Sequence, residues 1–275
     1  MKTVLSIAGS DPSGGAGIQA DLKTMEAHGV YGMSVITALT AQNTLGVQGV
    51  MEVPADYVKS QISSVFDDIY PNAVKIGMLP GLEVMKAVAM CVDKYKAMNI
   101  VLDPVMSSTS GTELSRKDSR KYMIEELFPR CTLVTPNIPE AEAILGILED
   151  GSGGGNKPPE SLDSREKIEE AGKKIGETCG CNVLIKGGHS SFAVKKSMDY
   201  LYLTDKKEGI WLEGERLDNP NTHGTGCTLS SAIASNLALG YDLEEAVRKA
   251  KRYLEKCIRA GLDLGHGRGP LLHRV

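Results

Sequence analysis

The chain has 275 residues, 41% of them hydrophobic, which is enough core for one large α/β domain or two small ones. A net charge of −4 argues against nucleic acid or an anionic membrane surface as a general partner. No apolar run approaches the roughly 18 residues of a membrane span.

The N-terminus MKTVLSIAGSD lacks the apolar core and small-residue cleavage site of a signal peptide and is read as a first strand. Six cysteines, at positions 91, 131, 179, 181, 227 and 257, show no zinc-type pairs, and Cys179 and Cys181 are read as structural. The expectation is a cytoplasmic protein with reduced thiols.

Thr3–Ala8 is a short apolar run, a buried parallel strand that ends in a turn at Gly9. A helix follows to about Ala27, with Ile18, Leu22 and Met25 on one face. Gly15, Gly17 and Ala20 match a loose dinucleotide fingerprint, but the next strand ends without the acidic residue that would hold a ribose, so the match is rejected. Asp21 shares or borders the apolar face of that helix; a carboxylate there either caps a buried network or meets a ligand. Met33–Thr40 is a second strand that delivers Gln42, Asn43 and Thr44 into a loop at its C-terminal end, where open α/β sheets bind ligands.

Helical spacing covers Ala55–Ile69 and about Leu82–Ala97, with a strand at Ala73–Gly77 between them that leads to Met78. Asn99–Val105 is a fourth strand carrying Asp103 at its tip. Thr132–Pro136 is a fifth and delivers Asn137 and Glu140 onto a helix start. Val183–Gly187 is a sixth and ends near Lys186. Met198–Leu203 and Ile210–Leu212 read as a hairpin, and Leu243–Arg259 as the last helix. The alternation predicts a three-layer α/β/α fold with a central, mainly parallel sheet in a single domain, 1–275. Gly/Pro-rich residues at about 150–162 are expected to form a flexible surface loop.

The stretch NTHGTGCTLSSAIASNLALG (221–240) carries the chemistry. Leu229, Ile233 and Leu237 lie on one helical face that Gly240 closes. Ahead of that face, Gly224, Thr225, Gly226 and Cys227 form a turn whose backbone N–H groups, with the helix dipole, suit an anion. A cysteine in such a turn is either a small packed hydrophobe or a protonatable group inside an anion site.

The ordered set AGSDPSGGAGIQADLKT, VITALTAQNT, KIGML, LDPVM, TPNIPEAE, KGGH, NTHGTGCTLSSA and GHGRGP covers nearly the whole chain. It resembles the hydroxymethylpyrimidine/phosphomethylpyrimidine kinases of thiamine biosynthesis, in the ribokinase-like superfamily. The resemblance implies ATP as phosphoryl donor, Mg²⁺, a small aminopyrimidine acceptor and a common homodimeric state. It also implies Cys227 as the general base, where sugar kinases of the superfamily carry Asp. A helix N-terminus should lower the thiol pKa.

Phosphoryl transfer is mostly positioning and charge neutralisation, which fits the rest of the set. Asp103 and Glu140 are the expected Mg²⁺ ligands, and Asn137 can position the same cluster. Lys186 suits the ATP phosphates, with Thr222 on the nucleotide side or only shaping its loop. Gln42 is expected to pair with the aminopyrimidine edge, and the resemblance implies that Asp21 and Gly9 line the same pocket, with Met78 packing the ring. Three other readings compete: a pyridoxal kinase of the same branch, a sugar kinase (disfavoured because no early lid-strand insertion is recognisable), and a ligand-binding regulator that kept only the fold.

Overall fold

A computed structural model describes residues 1–106, 117–150, 161–188 and 196–275. The surface loop expected at about 150–162 lies mostly outside the described residues. The strands are β1 (Thr3–Ser10), β2 (Tyr31–Asn43), β3 (Gly46–Glu52), β4 (Ala73–Ile76), β5 (Ile100–Leu102), β6 (Leu133–Val134), β7 (Asn182–Ile185), β8 (Lys196–Leu203) and β9 (Glu208–Glu215). They form one sheet in the order β3-β2-β1-β4-β5-β6-β7-β8-β9. From β2 to β7 every pairing is parallel; β3, β8 and β9 add antiparallel edges.

The central strands are apolar on both faces because helices cover both. Val4, Ala73, Val101, Leu133 and Leu184 point to one side, against α1 (Gly17–Ala27), α7 (Thr225–Leu239) and α8 (Leu243–Ala260). Leu5, Ile76, Leu102, Val134 and Val183 point to the other. There they meet α2 (Ala55–Phe66), α3 (Leu82–Tyr95), α4 (Lys117–Tyr122), α5 (Ile138–Asp150) and α6 (Arg165–Cys179). The mainly parallel α/β/α architecture is therefore as the alternation predicts. Among the described residues no helix is long and apolar enough to cross a membrane.

Two elements depart from the sequence reading. β2 runs on to Asn43 and turns back as β3, so Gln42 sits on a strand paired with Val47, and an early edge hairpin does exist. β3 escapes periodicity because it is solvated on both faces, with Val47 only partly covered and Val50 and Met51 exposed. α4, which continues through a π-turn and a 3₁₀ turn to Arg130, fills a stretch for which no element was expected.

The strand order places the ends of β1, β4, β5, β6 and β7 along one rim. α7 packs under that rim against β1, β4 and β5. Its first turn therefore arrives where the strand-end residues converge.

Candidate active site

Gly224 caps α7 with φ +84°, a left-handed conformation that glycine adopts without cost. A side chain there would also strike the Gly15 carbonyl oxygen. A Cβ on Gly226 would lie 2.9 Å from Asp103 Oδ2 and 3.4 Å from Lys186 Nζ, so the turn sits directly against those two groups. Thr225 and Cys227 complete the turn, and all four residues line a cavity of about 780 Å³.

The same cavity is lined by Gly9, Gln42, Met78, Asp103, Asn137, Glu140, Lys186 and Thr222. Twelve of the thirteen residues singled out from the sequence thus share one space. Asp21 is the exception. It is fully buried, with Lys75 Nζ 2.8 Å from Oδ2 and the hydroxyls of Ser6 and Ser231 donating to it at 2.6 and 2.7 Å. The expectation that it lines the substrate pocket is corrected: it anchors a network, and Lys75 stands between it and the cavity.

Lys75 was missed, although a lysine inside the apolar run AVKI demands a buried counter-ion. Burial works against its charge, but Asp21 more than offsets this, and Lys75 is held protonated. It is a cation that acts on Cys227.

The Cys227 thiol is pushed up to about 11 by burial; Lys75 pulls it down, while Asp21 and Asp103 push it up. The expected lowering by the helix N-terminus is corrected, because burial and two carboxylates outweigh it. Cys227 is still the half-buried cysteine of the chain, and the other five are buried.

Asp103 is 2% exposed and accepts from Lys186 Nζ at 2.7 Å and Thr135 Oγ1 at 3.1 Å. Lys186 is thus already paired with a carboxylate, a partner the sequence did not reveal. Burial opposes its ammonium form, but Asp103 and Glu140 raise its pKa.

Asn137 and Glu140 form a reciprocal cap on α5: Asn137 N–H donates to Glu140 Oε2 and Glu140 N–H to Asn137 Oδ1, both at 2.8 Å. Glu140 therefore has the helix-start role as well as a place in the cavity. Burial lifts its carboxyl to about 7, with Lys186 pulling down and Asp103 pushing up. Two carboxylates that repel each other on the wall of one cavity are a donor set that a hard dication fits. No cluster of three or more acidic, His or Cys side chains forms among the described residues. Such an ion would complete its shell with water and phosphate.

At the other end, Gln42 meets an unexpected pair. His223 Nε2 lies 2.8 Å from Asp11 Oδ2 and 3.3 Å from the Gln42 carboxamide. Burial opposes the Asp11 carboxylate, but hydrogen bonds from His223 and Ser13 outweigh it and hold its pKa near 2. An ionised carboxylate only accepts, so Nε2 carries the proton. The Gln42 carboxamide then fits best with its oxygen toward His223 and its nitrogen toward Thr40 Oγ1, whose proton goes to the Ser10 carbonyl. That leaves one amide N–H and one oxygen lone pair unused on a residue that lines the cavity, an edge that complements a ring nitrogen beside an amino group. Asp11 was legible only as turn chemistry, since its Oδ1 accepts from Ser13 N–H.

A third feature also escaped the sequence reading: Asp199 and Lys251, 2.5 Å apart and both buried, line the cavity beyond Lys186.

A family model described as phosphomethylpyrimidine kinase matches residues 11–272. A hydroxymethylpyrimidine/phosphomethylpyrimidine kinase of Staphylococcus aureus (strain MRSA252) is 42% identical over 99% of this chain and 93% of its own length. The crystal structure of a phosphomethylpyrimidine kinase from Clostridium difficile 630 superposes with a TM-score of 0.78 at 41% identity, over 94% of this chain and 100% of that one. A Bacillus subtilis pyridoxal kinase solved as an ADP complex gives a TM-score of 0.87 at 34% identity, over 99% of this chain and 97% of that one. On this evidence the chain belongs to the phosphomethylpyrimidine kinase family.

Proposed function

We propose that the protein transfers the γ-phosphoryl group of ATP to the hydroxymethyl oxygen of 4-amino-5-hydroxymethyl-2-methylpyrimidine, and then to the resulting monophosphate, giving the diphosphate used to make thiamine diphosphate. The observation that carries this reading is the convergence of the 224–227 turn, Cys227, the Asp103–Lys186 pair and the amide edge of Gln42 on one cavity. We place the enzyme in the cytoplasm, a setting that suits its six free thiols.

In this reading the flat ring lies between Met78 and Val105, with Gly9 leaving room beneath it and Gln42 reading the amino and ring-nitrogen edge. The substrate oxygen attacks phosphorus, the bond to the ADP oxygen breaks, and the hydroxyl proton goes to Cys227 Sγ. The Lys75 ammonium is a local charge that favours the thiolate. Backbone N–H groups of the turn, with the α7 dipole, stabilise the oxygens of the transferring group. Lys186 offers its remaining donors to the ATP phosphates, with Asn137 and Thr222 on the same side. Asp103 and Glu140 would hold Mg²⁺, which supplies charge neutralisation on those phosphates.

A second reading has its own support: the higher TM-score belongs to a pyridoxal kinase, and the apolar walls would accept another flat heteroaromatic alcohol. ADP release is to be measured with hydroxymethylpyrimidine, its monophosphate and pyridoxal in parallel. The proposal expects the two pyrimidines to be the better substrates by kcat/KM. Pyridoxal as the better substrate would move the assignment to the second reading, and no ADP from any of the three would refute both and favour the ligand-binding regulator.

A further inference from the structure

A monophosphate acceptor brings about −2 charge into a cavity already lined by Asp103 and Glu140. Its attacking oxygen is ionised at neutral pH, since the second phosphate pKa is about 6. Attack forms a P–O–P bond and releases ADP with no proton to remove. The second transfer therefore needs a cation at the acceptor more than it needs a base.

Five cationic side chains line the cavity among the described residues. Lys75 is taken by Asp21, Lys186 by Asp103 and Lys251 by Asp199, and Arg216 also has a partner. The Arg268 guanidinium makes no hydrogen bond or ion pair among the described residues. Its backbone, in contrast, is pinned on both sides. Arg268 N–H donates to the Thr44 carbonyl at 3.1 Å, and His266 and Gly267 N–H groups donate to Thr44 Oγ1 at 3.2 Å. Gly269 N–H donates to Asn221 Oδ1 at 2.9 Å, and the Gly269 carbonyl accepts from His223 N–H at 3.2 Å.

Only glycine fits the three neighbouring positions: a Cβ at Gly265 or Gly267 would strike Thr44, and one at Gly269 would lie 2.5 Å from Asn221 Oδ1. The loop is thus wedged between the β2–β3 turn, two residues from Gln42, and the segment that leads directly into the anion turn. It holds Arg268, unpaired among the described residues, on the wall of the cavity beside the Gln42 strand end.

Resting on the proposed function, we infer that Arg268 is the cation that receives the phosphate of the monophosphate acceptor and so determines whether the second transfer proceeds. The test is steady-state kinetics of wild type, Arg268→Gln and Arg268→Lys with both pyrimidine acceptors at saturating ATP. Loss of a charge-assisted contact should raise KM for the monophosphate at least tenfold more than KM for the alcohol, and Arg268→Lys should recover part of that loss. Arg268 is exposed, so the variants should melt as wild type does, and circular dichroism checks this. Equal changes for both acceptors, or no change, would overturn the inference. So would a wild-type enzyme that phosphorylates the alcohol and not the monophosphate. A wild type inactive on both acceptors would instead refute the proposed function itself.

Discussion

The Asp21–Lys75 pair decides whether Asp21 is scaffold or ligand, and it can be tested as a cycle. Both side chains are fully buried, and Asp21 also holds the hydroxyls of Ser6 and Ser231. Asp21→Asn leaves Lys75 as an uncompensated buried charge, and Lys75→Met does the same to Asp21; each should cost about 3–5 kcal/mol. The double variant removes both charges and keeps two hydroxyls facing an amide, so it should lose only about 1–2 kcal/mol in imperfect hydrogen bonds. The coupling energy is then well above 2 kcal/mol and opposite in sign to the single losses. Urea denaturation followed by fluorescence or circular dichroism reads it directly.

Asp21→Asn should also remove one of the two carboxylates that oppose Lys75 at Cys227, so alkylation of that thiol should begin at lower pH than in wild type. Single variants costing under about 1 kcal/mol, combined with a tenfold rise in KM for the pyrimidine, would refute the scaffold assignment. Asp21 would then be a substrate ligand after all.

Two further outcomes follow from the geometry. Gly224→Ala must place a Cβ at φ +84° and against the Gly15 carbonyl, so it should destabilise by at least about 2 kcal/mol and abolish turnover together; thermal melts and a coupled ADP assay check it. His273 is buried against Thr228 at 3.0 Å, and burial, with Lys23 adding to it, lowers its pKa to about 4. Below the unfolded value of 6.5 the unfolded chain binds the proton first. Stability should therefore be complete above about 6.5 and fall by about 3 kcal/mol as pH drops to 4, a slope that His273→Asn should remove.

What the sequence revealed and what it concealed divide along physical lines. The buried strands, α1 and α7 were legible because apolar runs and four-residue spacing report burial directly. The anion turn was legible because two glycines immediately ahead of an apolar helix face have few other uses. β3 was not, since a strand solvated on both faces carries no alternation, and its GVQGVME composition includes two glycines. The long-range polar partners were not legible either: Asp11 and His223 are 212 residues apart, and Asp21 and Lys75 are 54 apart. A buried Asp on a helix face and a Lys inside an apolar strand were each anomalous alone. Pairing them needed only the argument that two buried opposite charges must meet. The thiol pKa had the wrong sign because the helix terminus was weighed without the burial of the thiol or the charges of Asp21 and Asp103, which no local window contains.

The account stands or falls on Cys227 as the group that takes the proton from the substrate alcohol. The most direct measurement is kcat of Cys227→Ala with hydroxymethylpyrimidine and saturating ATP, alongside its melting temperature. A fall of about 10²-fold or more in an enzyme that melts as wild type does is the predicted result. Turnover within a few-fold of wild type would contradict it and place the base elsewhere.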